Sequence, residues 1–223
     1  MPRREIQLQR ETVADIEAAG VRRGRPLLVV DTDEVIVHFA GHLASWLNGV
    51  GYEMRLTQYQ LEGAIYPTGE ATPVSFEAAL TLIDAFFAEE TEHQRPIDGA
   101  IEAIARLSRE AQVVVLTNVP RQALAARRAN LRGLGVEAPV VANLGGKGRA
   151  LRLLADAAAA PAVFVDDSPG QIASAAKHAR GVTRLHFQGS PYLRRVMPEA
   201  PDAHASPGDW AACEAMVRRG LEL

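Results

Sequence analysis

Apolar and polar positions along this chain follow two periods, and the switches between them mark out the elements. Leu27-Leu28-Val29-Val30 is an unbroken apolar run rich in β-branched residues that ends at Asp31-Thr32-Asp33-Glu34-Val35. Such a run reads as a strand buried in a parallel sheet, with Asp31 and Asp33 delivered at its C-terminal end. The pattern then changes to period 3.6. Phe39, Leu43, Trp46, Leu47 and Val50 share one face, closed by Gly49 and Gly51, which predicts a helix. Residues 52–75 are polar and broken by Pro67, Gly69 and Pro73, and Phe76, Leu80, Ile83 and Phe87 form another helical stripe to about residue 90.

After Pro96, helices and strands alternate as in α/β folds. A helix over 98–109 (Ile101, Ile104, Leu107) precedes a strand over 112–116 that ends in Thr117-Asn118. Val119-Pro120-Arg121 opens a helix carrying Leu124 and Leu131, with proline near its first turn. A short strand over 139–142 leads through Asn143-Leu144-Gly145-Gly146 to Lys147, at the start of a helix with Leu151 and Leu154 inward. Residues 162–167 form a second strand ending in carboxylates, Asp166 and Asp167; Ser168 as N-cap and Pro169 at the first position then open a helix. The last strand covers 183–187, and residues 206–222 place Trp210, Cys213, Met216, Val217 and Leu221 on the apolar face of a docked helix. Near the N-terminus, Ile6, Val13 and Ile16 form a loose stripe, read as a helix packed outside the main domain or, alternatively, as a dimer contact.

Bulk properties narrow the partners. A chain of 223 residues accommodates one α/β domain with an insertion, or two small domains. Its net charge of -3 offers no electrostatic reason to expect nucleic acid or an anionic membrane, which leaves small molecules. No apolar run reaches membrane-spanning length, and the charged N-terminus has no apolar leader core. The single cysteine, Cys213, excludes an intramolecular disulfide framework and a sulfur-based metal site, and suits the cytoplasm. Oligomeric state is left open.

Asp31 and Asp33, Thr117 and Asn118, and Asp166 and Asp167 all stand at strand ends, and a parallel sheet brings such ends to one edge, where ligands bind. Acids gathered there repel one another unless a cation sits between them or one keeps a proton. Phosphoryl transfer requires this set. Asp31, the backbone carbonyl of Asp33 and Asp166 are hard oxygen ligands suited to Mg²⁺. One carboxylate can then attack phosphorus and form an aspartyl-phosphate. Thr117, the amide at Asn118 and the charge of Lys147 can hold the phosphoryl oxygens. Asp33 is placed to protonate the leaving oxygen and later to take a proton from water. Lys147 is one of only two lysines, with Lys177, in a chain rich in arginine, and a compact ammonium behind glycines suits a phosphate site.

Asp31-Thr32-Asp33-Glu34-Val35, Leu116-Thr117-Asn118, Lys147 and Val165-Asp166-Asp167 together resemble, in order, the four motifs of the haloacid dehalogenase-like (HAD) hydrolase superfamily, over roughly residues 26–188. The resemblance implies a Rossmann-like three-layer α/β core with a five-stranded parallel sheet. It also implies Asp31 as nucleophile, Asp33 as acid/base, Thr117 and Lys147 as phosphate ligands, and Asp166 as Mg²⁺ ligand supported by Asp167. Residues 26–40 and 96–190 would form that core, with 41–95 a small helical cap inserted after the first motif, and 1–25 and 191–223 helical extensions. Many members carry glycine where Glu34 stands. Dehalogenases lack the second aspartate, and phosphonate hydrolases use a cap lysine, whereas residues 41–95 contain none. The expectation is a Mg²⁺-dependent phosphatase of a small phosphate ester. A phosphomutase, a nucleotidase and a non-catalytic phosphate-binding protein are the alternatives. Arg55, Gln58, Tyr59 and Tyr66 are the expected cap contacts to substrate.

Overall fold

The apolar run at 27–30 becomes the middle strand of the sheet. In the computed structural model, which describes residues 8–223, the chain forms α1 (Arg10–Ala18), β1 (Leu27–Val30), α2 (Ala40–Gly49), β2 (Tyr52–Met54), β3 (Ile65–Pro67) and α3 (Phe76–Glu90). It continues with α4 (Ala100–Glu110), β4 (Gln112–Thr117), α5 (Leu124–Gly133), β5 (Val140–Ala142), α6 (Gly148–Ala158), β6 (Ala162–Asp166), α7 (Pro169–His178), β7 (Thr183–His186) and α8 (Trp210–Leu221). Five strands pair in parallel in the order β5-β4-β1-β6-β7.

A parallel sheet covered on both faces must be apolar on both, and the alternate residues of each strand divide accordingly. Leu28, Val30, Val115 and Val165 pack with Leu107, Leu131, Trp210 and Val217 on one side. Leu27, Val29, Leu116 and Phe164 pack with Ile16, Leu151, Leu154 and Ile172 on the other. The result is the three-layer Rossmann-like α/β architecture. Val30 lies opposite both Val115 and Val165, so β1, β4 and β6 end at nearly one level and present their following residues on one edge.

The insert between β1 and α4 has a small core of its own, built from Leu43, Leu47, Ile65, Ala79 and Phe86. It meets the main core through Phe39 and Phe87, whose rings stack with centroids 5.5 Å apart. Residues 52–75, polar and broken in sequence, contain the antiparallel hairpin β2–β3. Each of its strands has three residues, too few for an alternation to register.

The first and last of the described helices are tied to the sheet and its loops. Of the apolar stripe near the N-terminus, Ile6 lies outside the described residues; α1 buries Thr12 and Ile16, and the Thr12 hydroxyl donates to the Ala142 carbonyl at 2.8 Å. Trp210 of α8 is fully buried, and its indole N–H donates to the Val35 carbonyl at 2.7 Å, bracing the loop that leaves β1. That helix is capped by Asp209, which accepts from the Ala212 amide at 2.7 Å. Ser168 occupies the N-cap position of α7 without a side-chain cap bond. No helix among the described residues is long and apolar enough to cross a membrane.

Candidate active site

The β1 strand ends in a tight turn in which the amides of Val35, Ile36 and Val37 all point at the Thr32 carbonyl. Glu34 takes a left-handed conformation there, with φ of 59°. That conformation costs a non-glycine residue energy, which explains the preference for glycine at this point of the motif. Glu34 offsets the cost locally. Its Oε1 accepts from the amides of Phe39 and Ala40 at 2.9 and 2.5 Å, capping α2, while Oε2 is buried without a partner.

The turn delivers Asp31 beside the end of β6. Oxygens of Asp31, Asp166 and Asp167 lie within 4.8 Å of one another, and all three residues are buried. The Lys147 ammonium sits 2.7 Å from both Asp31 Oδ1 and Asp166 Oδ2. Burial opposes the lysine's charge, but Asp166 and Asp31 together outweigh it and raise its pKa, so Lys147 is a cation. Gly148 lets it come so close: a Cβ there would stand 2.0 Å from the Ser174 carbonyl oxygen of α7. One ammonium cannot neutralise three carboxylates. Burial, helped by Asp31, pushes Asp166 up to about 7 against the pull of Lys147, and burial with Asp166 and Asp31 raises Asp167 well above the usual range. A set of buried oxygen ligands short of positive charge fits a hard divalent cation such as Mg²⁺.

Thr117 is fully buried at the end of β4, where its hydroxyl oxygen accepts from the Val119 amide at 3.3 Å and its proton stays available for donation. Asn118 is exposed and lines the cavity over the site; its side-chain amide donates to the Gly145 carbonyl at 2.8 Å, and its oxygen accepts from Asn143 at 2.9 Å. Asp33 lines the same cavity but pairs with a different cation. Its carboxylate receives a hydrogen bond from Arg127 at 2.6 Å, and burial raises its pKa although Arg127 works against that.

Above these groups is a cavity of about 320 Å³. Asp31, Asp33, Glu34 and Asp167 form its acidic end, and Phe39, Leu56, Tyr59, Leu61, Phe87 and Leu193 line its walls. The Tyr59 hydroxyl donates to Asp167 Oδ2 at 2.7 Å, a direct bond from the insert to the acid cluster. Burial and the charge of Asp167 keep that phenol protonated.

No family model matches the sequence, and no curated protein matches it. Solved structures do. A HAD family hydrolase from Deinococcus radiodurans R1, with bound phosphate and sodium, superposes with a TM-score of 0.61 at 18% identity, over 87% of this chain and 95% of its own. A putative HAD-hydrolase from Bacillus subtilis bound to magnesium gives 0.57 at 12% identity, over 88% and 100%. A putative β-phosphoglucomutase from Thermotoga maritima gives 0.55 at 16% identity, over 86% and 98%. The fold is that of the haloacid dehalogenase-like hydrolases.

Within this HAD-like fold the structure brings Asp31, Lys147, Asp166 and Asp167 together and sets Thr117 and Asn118 on the same edge. Of the four expected contacts in the insert, only Tyr59 lines the cavity. Arg55 pairs with Glu53 and stacks on Tyr66, its guanidinium 4.3 Å from the ring centre, and Gln58 is exposed. Sequence reasoning missed Arg127, Gln94 and Asn130, which form a buried network behind Asp33. Arg127 is wholly buried and donates to Gln94 at 2.6 Å and Asn130 at 3.3 Å, while the Gln94 amide donates to the His38 carbonyl at 3.0 Å. A signal was present: Arg127 and Asn130 stand three apart on the face of α5 that also carries Leu124 and Leu131, so polar residues share an apolar stripe. His186 was also missed. Its Nε2 lies 2.9 Å from the Asp167 carbonyl, which can only accept, so this nitrogen carries the proton and steadies the acid loop.

Proposed function

We propose that this protein is a Mg²⁺-dependent phosphatase that hydrolyses a small phosphate monoester through an aspartyl-phosphate on Asp31, with the insert at 41–95 acting as its cap. The observation that carries the reading is the buried convergence of Asp31, Asp166 and Asp167 around a single lysine. Asp31, the Asp33 carbonyl, Asp166 and Asp167 are the residues to hold the metal. Bound there, Mg²⁺ offsets the charge of the phosphoryl oxygens beside the carboxylates.

The rest follows from the chain's own groups. An Asp31 oxygen forms a bond to phosphorus as the ester P–O bond breaks, and the leaving oxygen takes a proton from Asp33. Asp33 then accepts a proton from the attacking water, which displaces Asp31 and releases inorganic phosphate. A carboxyl raised above its usual range by burial can hold the proton that the first half requires. Thr117 and the Asn118 amide supply neutral donors to the phosphoryl oxygens, and Lys147 a charged one. The bond from Tyr59 to Asp167 supports a cap that closes over the reacting groups and excludes water.

The test is hydrolysis of 4-nitrophenyl phosphate and a panel of metabolite phosphates, with and without Mg²⁺, by the wild type and by Asp31→Asn. Metal-dependent release that vanishes in a folded Asp31→Asn protein is the expected result. Undiminished hydrolysis by that variant removes Asp31 as nucleophile, and no release from any ester points to a binding protein.

A further inference from the structure

From the charge and polarity of the cavity walls we infer that the substrate is a phosphate monoester whose organic part is small, uncharged and apolar; this rests on the phosphatase reading above. Charge is confined to the end of the cavity where the phosphate reacts, and all of it is negative: Asp31, Asp33, Glu34 and Asp167. No lysine, arginine or histidine lines the cavity among the described residues. Lys147 and Arg127 are the nearby cations, and both are committed to carboxylates from wholly buried positions. An anionic group on the far side of the substrate, whether a carboxylate or a second phosphate, would lose its water and find no counter-charge.

The neutral polar groups on the walls are largely engaged. The Tyr59 hydroxyl is bonded to Asp167, the Asn118 side-chain amide to Gly145 and the Gln60 side-chain amide, at 3.4 Å, to the Glu62 carbonyl, leaving few directed partners for a polyhydroxylated sugar. What the walls offer is apolar surface: Phe39 and Leu193 from the main body side, and Leu56, Leu61 and Phe87 from the insert and its return. Binding sites recognise ligands mainly through such surface, with a few polar groups setting orientation. The volume of about 320 Å³ lies near the lower end for small-molecule sites and holds roughly ten waters' worth of ligand. A benzyl or short alkyl group beside the phosphate fits that space. The same walls disfavour a phosphomutase, whose substrate must be held by either of two phosphoryl ends.

The discriminating assay compares benzyl phosphate with 4-carboxybenzyl phosphate in saturating Mg²⁺. A methylene insulates the leaving oxygen from the ring substituent, so the two esters differ in wall contacts and hardly in leaving-group chemistry. The expected kcat/KM for benzyl phosphate is at least about tenfold higher, with most of the difference in KM. Leu56→Arg, which adds a cation to the wall, should narrow or reverse that preference. Equal or better use of the carboxylated ester by the wild type overturns the inference and leaves the phosphatase reading standing. Absence of Mg²⁺-dependent release from both esters and from every other phosphate tested overturns the phosphatase reading, and the inference falls with it.

Discussion

Arg127→Met should destabilise the protein chiefly through loss of its pairing with Asp33, with Gln94 and Asn130 losing a donor as well. The side chain is wholly buried, and one guanidinium nitrogen lies 2.6 Å from both Asp33 Oδ1 and Gln94 Oε1. Methionine replaces much of the aliphatic stem, so packing loss is small and the charge dominates. Removing one partner of a buried pair costs about 3–5 kcal/mol, because the other is left uncompensated. Asp33 keeps 23% of its side chain exposed at the cavity and can recover some hydration, which places the expected loss near the bottom of that range, about 3 kcal/mol. Urea denaturation of wild type, Arg127→Met, Asp33→Asn and the double variant forms a cycle that isolates the pair. Each single change strands the charge of the other partner and the double change strands neither charge, while the lost bonds to Gln94 and Asn130 cancel in the cycle, so the double variant should be more stable than the sum of the singles implies by at least about 1 kcal/mol. The loss in Arg127→Met should also grow with pH. Burial already raises Asp33, and without Arg127 it rises further; a raised carboxyl is best tolerated below its ordinary pKa and loses its proton as pH climbs. Additivity within about 0.5 kcal/mol, or a loss equal at pH 5 and pH 8, would refute the electrostatic account.

Two further predictions concern the acid cluster and the insert. In the metal-free protein Asp166 is raised to about 7 from 3.8, so it takes up a proton on folding between those values and stability should increase as pH falls from 8 to 5. That contribution is at most roughly 4 kcal/mol, should shrink in Asp166→Asn and should be opposed by Mg²⁺, which competes with the proton; identical pH slopes for the two proteins in calorimetry would rule it out. Tyr59→Phe removes the bond to Asp167 at a cost of about 1–2 kcal/mol, a hydrogen bond to a charged group in a partly buried site. Its signature should be faster amide exchange across 52–67 and in α2, with the sheet unchanged; exchange rates equal to wild type would show that the bond does not hold the insert down.

The elements most legible in sequence were those whose burial is one-sided or complete over several residues. β1, β4 and β6 are continuous apolar runs, and α4 and α6 bury Ile104 with Leu107 and Leu151 with Leu154 as their stripes predicted, so their placement followed from pattern; α2 and α3 are helices as expected, but Val50, Phe76 and Leu80 of their expected stripes are exposed. The motif acids were legible because a strand end is a fixed exit point: Asp31 and Asp166 each follow a buried run and must emerge on the same edge. The β2–β3 hairpin was hidden by its shortness. Arg127 was hidden for another reason, since a single arginine in a helix with two others reads as solvated surface until the partner beneath it is known.

Sequence alone determined the class of the fold, because hydrophobic periodicity dictates which residues must leave water and β-branched runs bounded by helices have few ways to do so. It also determined the types of group at the sheet edge, a surplus of carboxylates with one lysine. The tertiary structure decided what those groups do to one another. Distances of 2.7 Å from Lys147 to two acids, the pairing of Asp33 with Arg127, and the reach of Tyr59 to Asp167 depend on contacts between residues 19 to 116 positions apart in the chain or farther along the fold. The character of the cavity was decided in the same way. Phe39, Leu61, Phe87 and Leu193 look like ordinary core residues in sequence, and only the meeting of the insert with the sheet edge turns them into the walls of a site. Local pattern records how much a side chain avoids water; it carries no record of which distant side chain it will meet.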